Sequence, residues 1–224
     1  MPLERITTGV PGLDQAMSGG IPKGSTVLVA GPPGAGKTIL ANQIAYHRAS
    51  QGERVLILTT SSEGVTKLLT SLEELEYFKP QLVGDVVRVQ SVEALLGGGG
   101  LDALLQEIRR SAVESRVGLL VLDSLTSLYT SYQDPPTVRR FLSDLGSALF
   151  VLGCTAILVQ GQYSIEQSLE EQTIADGVIL MDVSVQGEHE ERRLRISKMR
   201  GGKHLYGLHP YQLTQAGLSL HPHE

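Results

Sequence analysis

Eight consecutive residues of this chain have the types and spacing needed to hold a phosphate. Gly31-Pro32-Pro33-Gly34-Ala35-Gly36-Lys37-Thr38 matches G-x-x-x-x-G-K-[ST] at every fixed position. The glycines let successive backbone N–H groups turn inward around an anion. A helix that begins at Lys37 would aim its positive end at the same anion. Lys37 then reaches the β- and γ-phosphates of a nucleoside triphosphate, and the Thr38 hydroxyl ligates Mg²⁺. The competing reading is a glycine-rich turn followed by a chance Lys-Thr.

Local context favours the phosphate loop. Thr26 to Ala30 is a short apolar run that reads as a buried strand, and Thr38 to Ser50 reads as a helix closed by Gln51-Gly52. Further on, Gly118 to Asp123 (Gly-Leu-Leu-Val-Leu-Asp) is an apolar strand ending in an acid. A carboxylate at that strand end lies beside the phosphate loop of an open α/β sheet and holds the Mg²⁺, directly or through water. An acid there also caps helices, so its weight comes from the pairing with Gly31 to Thr38. Gln160 ends the next strand and either reaches the γ-phosphate or is an ordinary strand-end polar residue.

The rest of the chain alternates short apolar runs with helical stretches, the pattern of repeated βαβ units. Strands are expected at Val55 to Thr59, Val86 to Gln90, Thr155 to Gln160 and Gly177 to Met181. Helices are expected at Val65 to Tyr77, Leu101 to Ser115 and Thr137 to Leu152. Leu194 to Met199 and Tyr206 to Leu213 read as paired strands joined by a glycine-rich turn, an antiparallel hairpin at the C-terminal end. The four glycines at 97–100 lack a following Lys-Ser/Thr and read as a connector. No linker divides residues 1–224, so one α/β domain with a mostly parallel central sheet is expected.

Composition narrows the function classes. Aromatic residues make up only 4% of the chain and Trp is absent, so the core must be built from Val, Leu, Ile and Ala. Net charge is −5, whereas a duplex-binding domain carries a basic surplus to neutralise phosphates; DNA binding is therefore not favoured. The single Cys154 sits in an apolar run and cannot form an intramolecular disulfide. No run reaches the ~18 apolar residues that span a membrane, so no membrane contact and a cytoplasmic location are expected. The tail His221-Pro-His223-Glu224 reads as a frayed end, and His204 and His209 carry no metal assignment.

Several segments outside the phosphate loop resemble one family. Thr8-Gly-Val-Pro-Gly-Leu-Asp14, then Gly19-Gly20-Ile-Pro-Lys-Gly24-Ser25, resembles the lead-in of the RecA superfamily of P-loop ATPases, and of its KaiC-like branch in particular. Ala175-Asp-Gly-Val-Ile179 and Ile196-Ser-Lys198-Met199-Arg200-Gly-Gly-Lys-His204 resemble the same branch. The resemblance implies a RecA-like core, ATP with Mg²⁺ as the ligand, and a homo-oligomer, a hexameric ring with ATP at each subunit boundary. It implies that Lys198 and Arg200 reach the neighbour's γ-phosphate, supplying charge in trans. Without the resemblance they read as part of a solvated basic edge with Arg192, Arg193 and Arg195.

One departure bears on turnover. The family places two adjacent glutamates after the second strand, and here Ser61-Ser62 stand at those positions. A hydroxyl is a poor proton acceptor, so slow hydrolysis is expected. Glu63 either takes over the missing role or complements the dipole of the helix that follows. In KaiC a Ser-Thr pair is phosphorylated where this chain reads Gln172-Thr173, so only Thr173 matches. Three functions follow: an ATP-dependent oligomeric switch with an unidentified protein partner, a RecA- or RadA-like DNA-binding ATPase, and an autokinase.

Overall fold

The apolar runs assemble into one sheet whose central strands are buried on both faces. The structure, a computed structural model, describes residues 3–60, 64–96, 99–161, 172–186 and 189–223. The lead-in contributes β1 (Arg5–Ile6), α1 (Leu13–Ala16) and β2 (Ile21–Pro22), with β1 and β2 paired antiparallel. The main chain of elements is β3 (Thr26–Ala30), α2 (Lys37–Ser50), β4 (Arg54–Thr59), α3 (Gly64–Leu72), β5 (Val87–Ser91), α4 (Val92–Leu96) and α5 (Gly100–Glu114). It continues with β6 (Val117–Asp123), α6 (Leu125–Ser131), α7 (Pro135–Leu152), β7 (Thr155–Gln160), β8 (Gly177–Gln186), β9 (His189–Met199), β10 (His209–Thr214) and β11 (Gly217–Leu220).

Nine strands form one sheet in the order β11-β10-β9-β8-β3-β7-β6-β4-β5. The six from β8 to β5 run parallel, and β9, β10 and β11 extend one edge antiparallel. Alternation sorts the side chains by face. Val27, Val29, Val55, Ile57, Val121 and Ile157 point into one core with Leu40, Ile44 and Tyr46 of α2. Leu28, Leu56, Leu58, Leu120, Leu122 and Leu158 point into the other, against Leu104 and Ile108 of α5 and Phe141, Leu142 and Leu145 of α7. Cys154 is buried in this second core, as its apolar run predicts, and burial pushes its thiol up to about 12.

Two expectations need correction. The helix expected over Val65 to Tyr77 ends at Leu72. Glu73, Glu74 and Glu76 would put negative charge at the negative end of the helix dipole. The chain instead turns so that Phe78 packs edge-on against Tyr46 at 5.2 Å, and the Tyr77 hydroxyl donates to the Ile39 carbonyl at 3.3 Å. The C-terminal antiparallel pairing is present, but its extent is shorter than expected. β9 is the partner of β8 along its whole length and meets β10 only at Leu194↔His209 and Arg193↔Pro210. β10 forms its hairpin with β11, whose short polar-apolar pattern gives little strand signal.

Candidate functional site

The phosphate loop leaves β3 at Ala30 and enters α2 at Lys37, between the strand and the helix that the motif requires. Gly34 and Gly36 both hold left-handed backbones, φ +79° and +85°, which only glycine adopts freely. A Cβ on Gly31 would lie 2.4 Å from the backbone oxygen of Met181, so β8 passes too close for any side chain there. No side chain caps the N-terminus of α2, which leaves its first N–H groups for an anion. The Lys37 ammonium donates to the Pro32 carbonyl at 2.7 Å, folded over the loop.

Asp123 closes the other side. Its strand β6 is separated from β3 by β7 alone, and all three end at the same edge of the sheet. The Thr38 hydroxyl donates to the Asp123 carboxylate at 2.6 Å, joining the two predicted metal ligands. Burial pushes the Asp123 carboxyl above its ordinary range, opposed by the Thr38 hydrogen bond and the Lys37 charge. Burial also lowers the Lys37 ammonium, opposed by Asp123. Both charged groups are thus poorly solvated, and a polyphosphate with a divalent cation supplies what each lacks.

Gln160 ends β7 in register with Ala30, immediately before the loop. It is fully buried, and neither end of its side-chain amide has a hydrogen-bond partner among the described residues. A buried amide left unpaired is costly, and a phosphate oxygen or a metal-bound water would satisfy it. The donor set, the open loop and this orphaned amide all fit Mg-ATP.

Beyond the Thr38–Asp123 pair lies a cavity of about 280 Å³ that sequence reasoning missed, lined by Thr60, Lys67, Leu68, Ser71, Ser124 and Ser127 as well as the pair itself. Thr60 fixes the end of β6: its hydroxyl accepts from the Ser124 N–H at 2.7 Å and donates to the Ser124 carbonyl at 2.9 Å. Among the described residues Asp123 is the only carboxylate of that lining. Ser61 and Ser62, expected at the family's acid positions, and the adjacent Glu63 lie outside the described residues.

Lys198 and Arg200 are at the opposite end of the sheet. Lys198 pairs with Val178, which lies beside Leu28, and the Arg200 N–H donates to Asp176, whose own N–H donates to Thr26. Arg200 is therefore level with the start of β3, roughly 13 Å below the strand end that feeds the loop. The Lys198 ammonium donates to the carbonyls of Gln172, Thr173 and Ala175 at 2.9, 3.3 and 2.6 Å. Arg200 is half-exposed and pairs with Asp176 at 3.3 Å. Neither cation serves the phosphate loop of its own chain. Thr173 lies in a helical turn at 172–174 on this far side.

Comparison with known proteins agrees with this geometry. The family model described as "ATPase: KaiC" matches residues 6–224. The chain is 30% identical to the UPF0273 protein MK0039 of Methanopyrus kandleri, over 99% of the chain and 94% of that protein. It is 27% identical to the circadian clock oscillator protein KaiC of a Picosynechococcus species, over 98% of the chain but 45% of that protein, so it spans less than half the length of such clock relatives. The crystal structure of the KaiC-like protein PH0186 from Pyrococcus horikoshii superposes with a TM-score of 0.82 at 27% identity, covering 99% of this chain and 100% of that one. With the resemblance covering nearly every residue, the chain belongs to the KaiC family of ATPases.

Proposed function

We propose that this protein is an oligomeric ATP-dependent switch that binds Mg-ATP, hydrolyses it slowly, and changes with its nucleotide state how copies or partners dock. The observation that carries the reading is the Thr38–Asp123 contact at 2.6 Å beside the unpaired Gln160 amide, at the end of β3. Backbone N–H groups of the loop and Lys37 would hold the phosphates, Thr38 and Asp123 would hold Mg²⁺, and Gln160 would sense the γ-phosphate. Mg²⁺, when bound, neutralises charge on the β- and γ-phosphates.

Slow turnover is supported by the chemistry of the cavity beside the pair. Its described polar lining is hydroxyls, Lys67 and the already engaged Asp123, and serines stand at the family's two glutamate positions. None of these hydroxyls accepts a proton readily near neutral pH.

The oligomer is supported by the far end of the sheet. Lys198 and Arg200 lie too far from their own loop to act there, so a role at a γ-phosphate requires a second copy. Beside Arg200 three large apolar side chains are exposed: Phe150 is 68% exposed, Val151 83% and Leu3 55%. A head-to-tail contact that sets this end against the next copy's phosphate loop makes a ring when its rotation closes and an open filament when it does not. Among the described residues no helix is long and apolar enough to cross a membrane, and the reduced, buried Cys154 suits the cytoplasm.

Phosphate release measured beside Mg-ATP affinity and light scattering tests the proposal. The expected result is firm binding, slow release and a larger particle with Mg-ATP. Rapid hydrolysis contradicts the switch, and a monomer at every concentration with and without ATP removes the trans role of Lys198 and Arg200.

A further inference from the structure

The C-terminal hairpin touches the phosphate loop directly. Tyr211 of β10 is 3% exposed, and its hydroxyl donates to the Ala35 carbonyl at 2.7 Å. Burial pushes its phenol up to about 12, so the group stays a hydrogen-bond donor at any working pH. Two residues along the strand, Leu213 covers Gly36 so closely that a Cβ there would lie 2.7 Å from its Cδ1. On β11 the Leu218 backbone is held by Gln43 of α2, which accepts from the Leu218 N–H at 2.7 Å and donates to its carbonyl at 3.2 Å. The hairpin thus grips the loop and the helix that follows it.

We propose that Tyr211 is a positioning residue for the phosphate loop, and that through it the β10–β11 hairpin reports nucleotide occupancy to the antiparallel edge of the sheet. In a planar trans peptide the carbonyl and the next N–H point in opposite directions. Holding the Ala35 carbonyl on Tyr211 therefore turns the Gly36 N–H away from the hairpin. Gly36 bounds this peptide on one side and Gly34 precedes Ala35 on the other, and glycine offers little resistance to rotation, so an external clamp is what selects one orientation. The coupling works in both directions: whatever Tyr211 does for nucleotide affinity, bound nucleotide does for the hairpin. β10 also pairs with β9, the strand that carries Lys198 at its far end, which gives the signal a hydrogen-bonded route to that end. This inference rests on ATP occupying the loop.

The test combines Tyr211→Phe with backbone hydrogen exchange. Loss of one buried hydrogen bond is expected to weaken Mg-ATP and Mg-ADP binding together by about 3–10-fold, raising KM while leaving kcat at saturation within about twofold. In the wild type Mg-ATP should slow exchange of the Leu213 and Leu218 amides, and in Tyr211→Phe this increment should vanish. Val138→Ala of α7 opens a cavity in the opposite core and leaves the hairpin untouched; it should lower Tm yet keep affinity near the wild-type value, which separates positioning from stability. If the wild type does not bind Mg-ATP, the assignment of the loop fails. If it binds but its hairpin amides do not respond, or if folded Tyr211→Phe binds as tightly as the wild type, the role of Tyr211 is overturned. The wild-type exchange measurement decides even where Tyr211→Phe does not fold.

Discussion

Burial raises the titration range of the Asp123 carboxyl, so at neutral pH the nucleotide-free protein holds an anion less well solvated than it is in the unfolded chain. A folded pKa above the unfolded value favours folding at low pH, and that contribution is lost as pH rises through the folded value. Asp123→Asn should therefore raise the Tm of the nucleotide-free protein at pH 7.5 while abolishing Mg-dependent ATP binding, with the Tm gain shrinking as pH falls through the carboxyl's range. Scanning calorimetry across pH checks both the sign and the trend. The missing acids make a second prediction at this scale. Ser62→Glu should speed phosphate release toward the ~10²–10⁴-fold that a water-positioning group contributes. No gain, together with collapse of the wild-type rate in Glu63→Gln, would assign the role to Glu63 instead. Lys37, Thr38 and Asp123 were legible because a phosphate loop fixes their order and neighbours. Tyr211 was not, because its bond joins positions 176 residues apart and nothing local marks it.

Among elements, the loop and β8 come close together where Gly31 leaves no room for a Cβ beside the Met181 carbonyl. Gly31→Ala must push β8 away from β3 or distort the loop. It should cost about 1–3 kcal/mol in denaturant unfolding and weaken ATP binding as well. Unchanged stability would mean that β8 moves freely, contrary to its parallel pairing with β3 from Val27 to Ala30. The parallel strands were readable as buried apolar runs bounded by turns and helices. The antiparallel edge was read less well. Beyond Met181, β8 continues through Asp182, Val183 and Ser184, a mixed and partly exposed ribbon whose partner is set by tertiary pairing rather than by local pattern. The lead-in read as a family mark works as a clamp: the Asp14 carboxylate accepts from the Thr8 hydroxyl and N–H at 2.7 and 2.9 Å, and the Pro11 carbonyl accepts from the Leu220 N–H.

Across the whole molecule, the phosphate loop and the Lys198–Arg200 pair occupy opposite ends of one sheet, an arrangement that a head-to-tail ring would bring together. Complementation tests this. Lys37→Ala subunits keep the cations but not the nucleotide, and Lys198→Ala/Arg200→Ala subunits keep the nucleotide but not the cations. Mixing them should release phosphate faster than either alone, and mixed oligomers without recovery would leave both cations structural. The central claim is that ATP occupies the loop from Gly31 to Thr38. Its most direct test is a calorimetric titration of Mg-ATP into the wild type and into Lys37→Ala, with circular dichroism to confirm that both are folded. Saturable binding to the wild type and severe loss in the folded variant is the expected result; equal affinity in the two would contradict the assignment of the site.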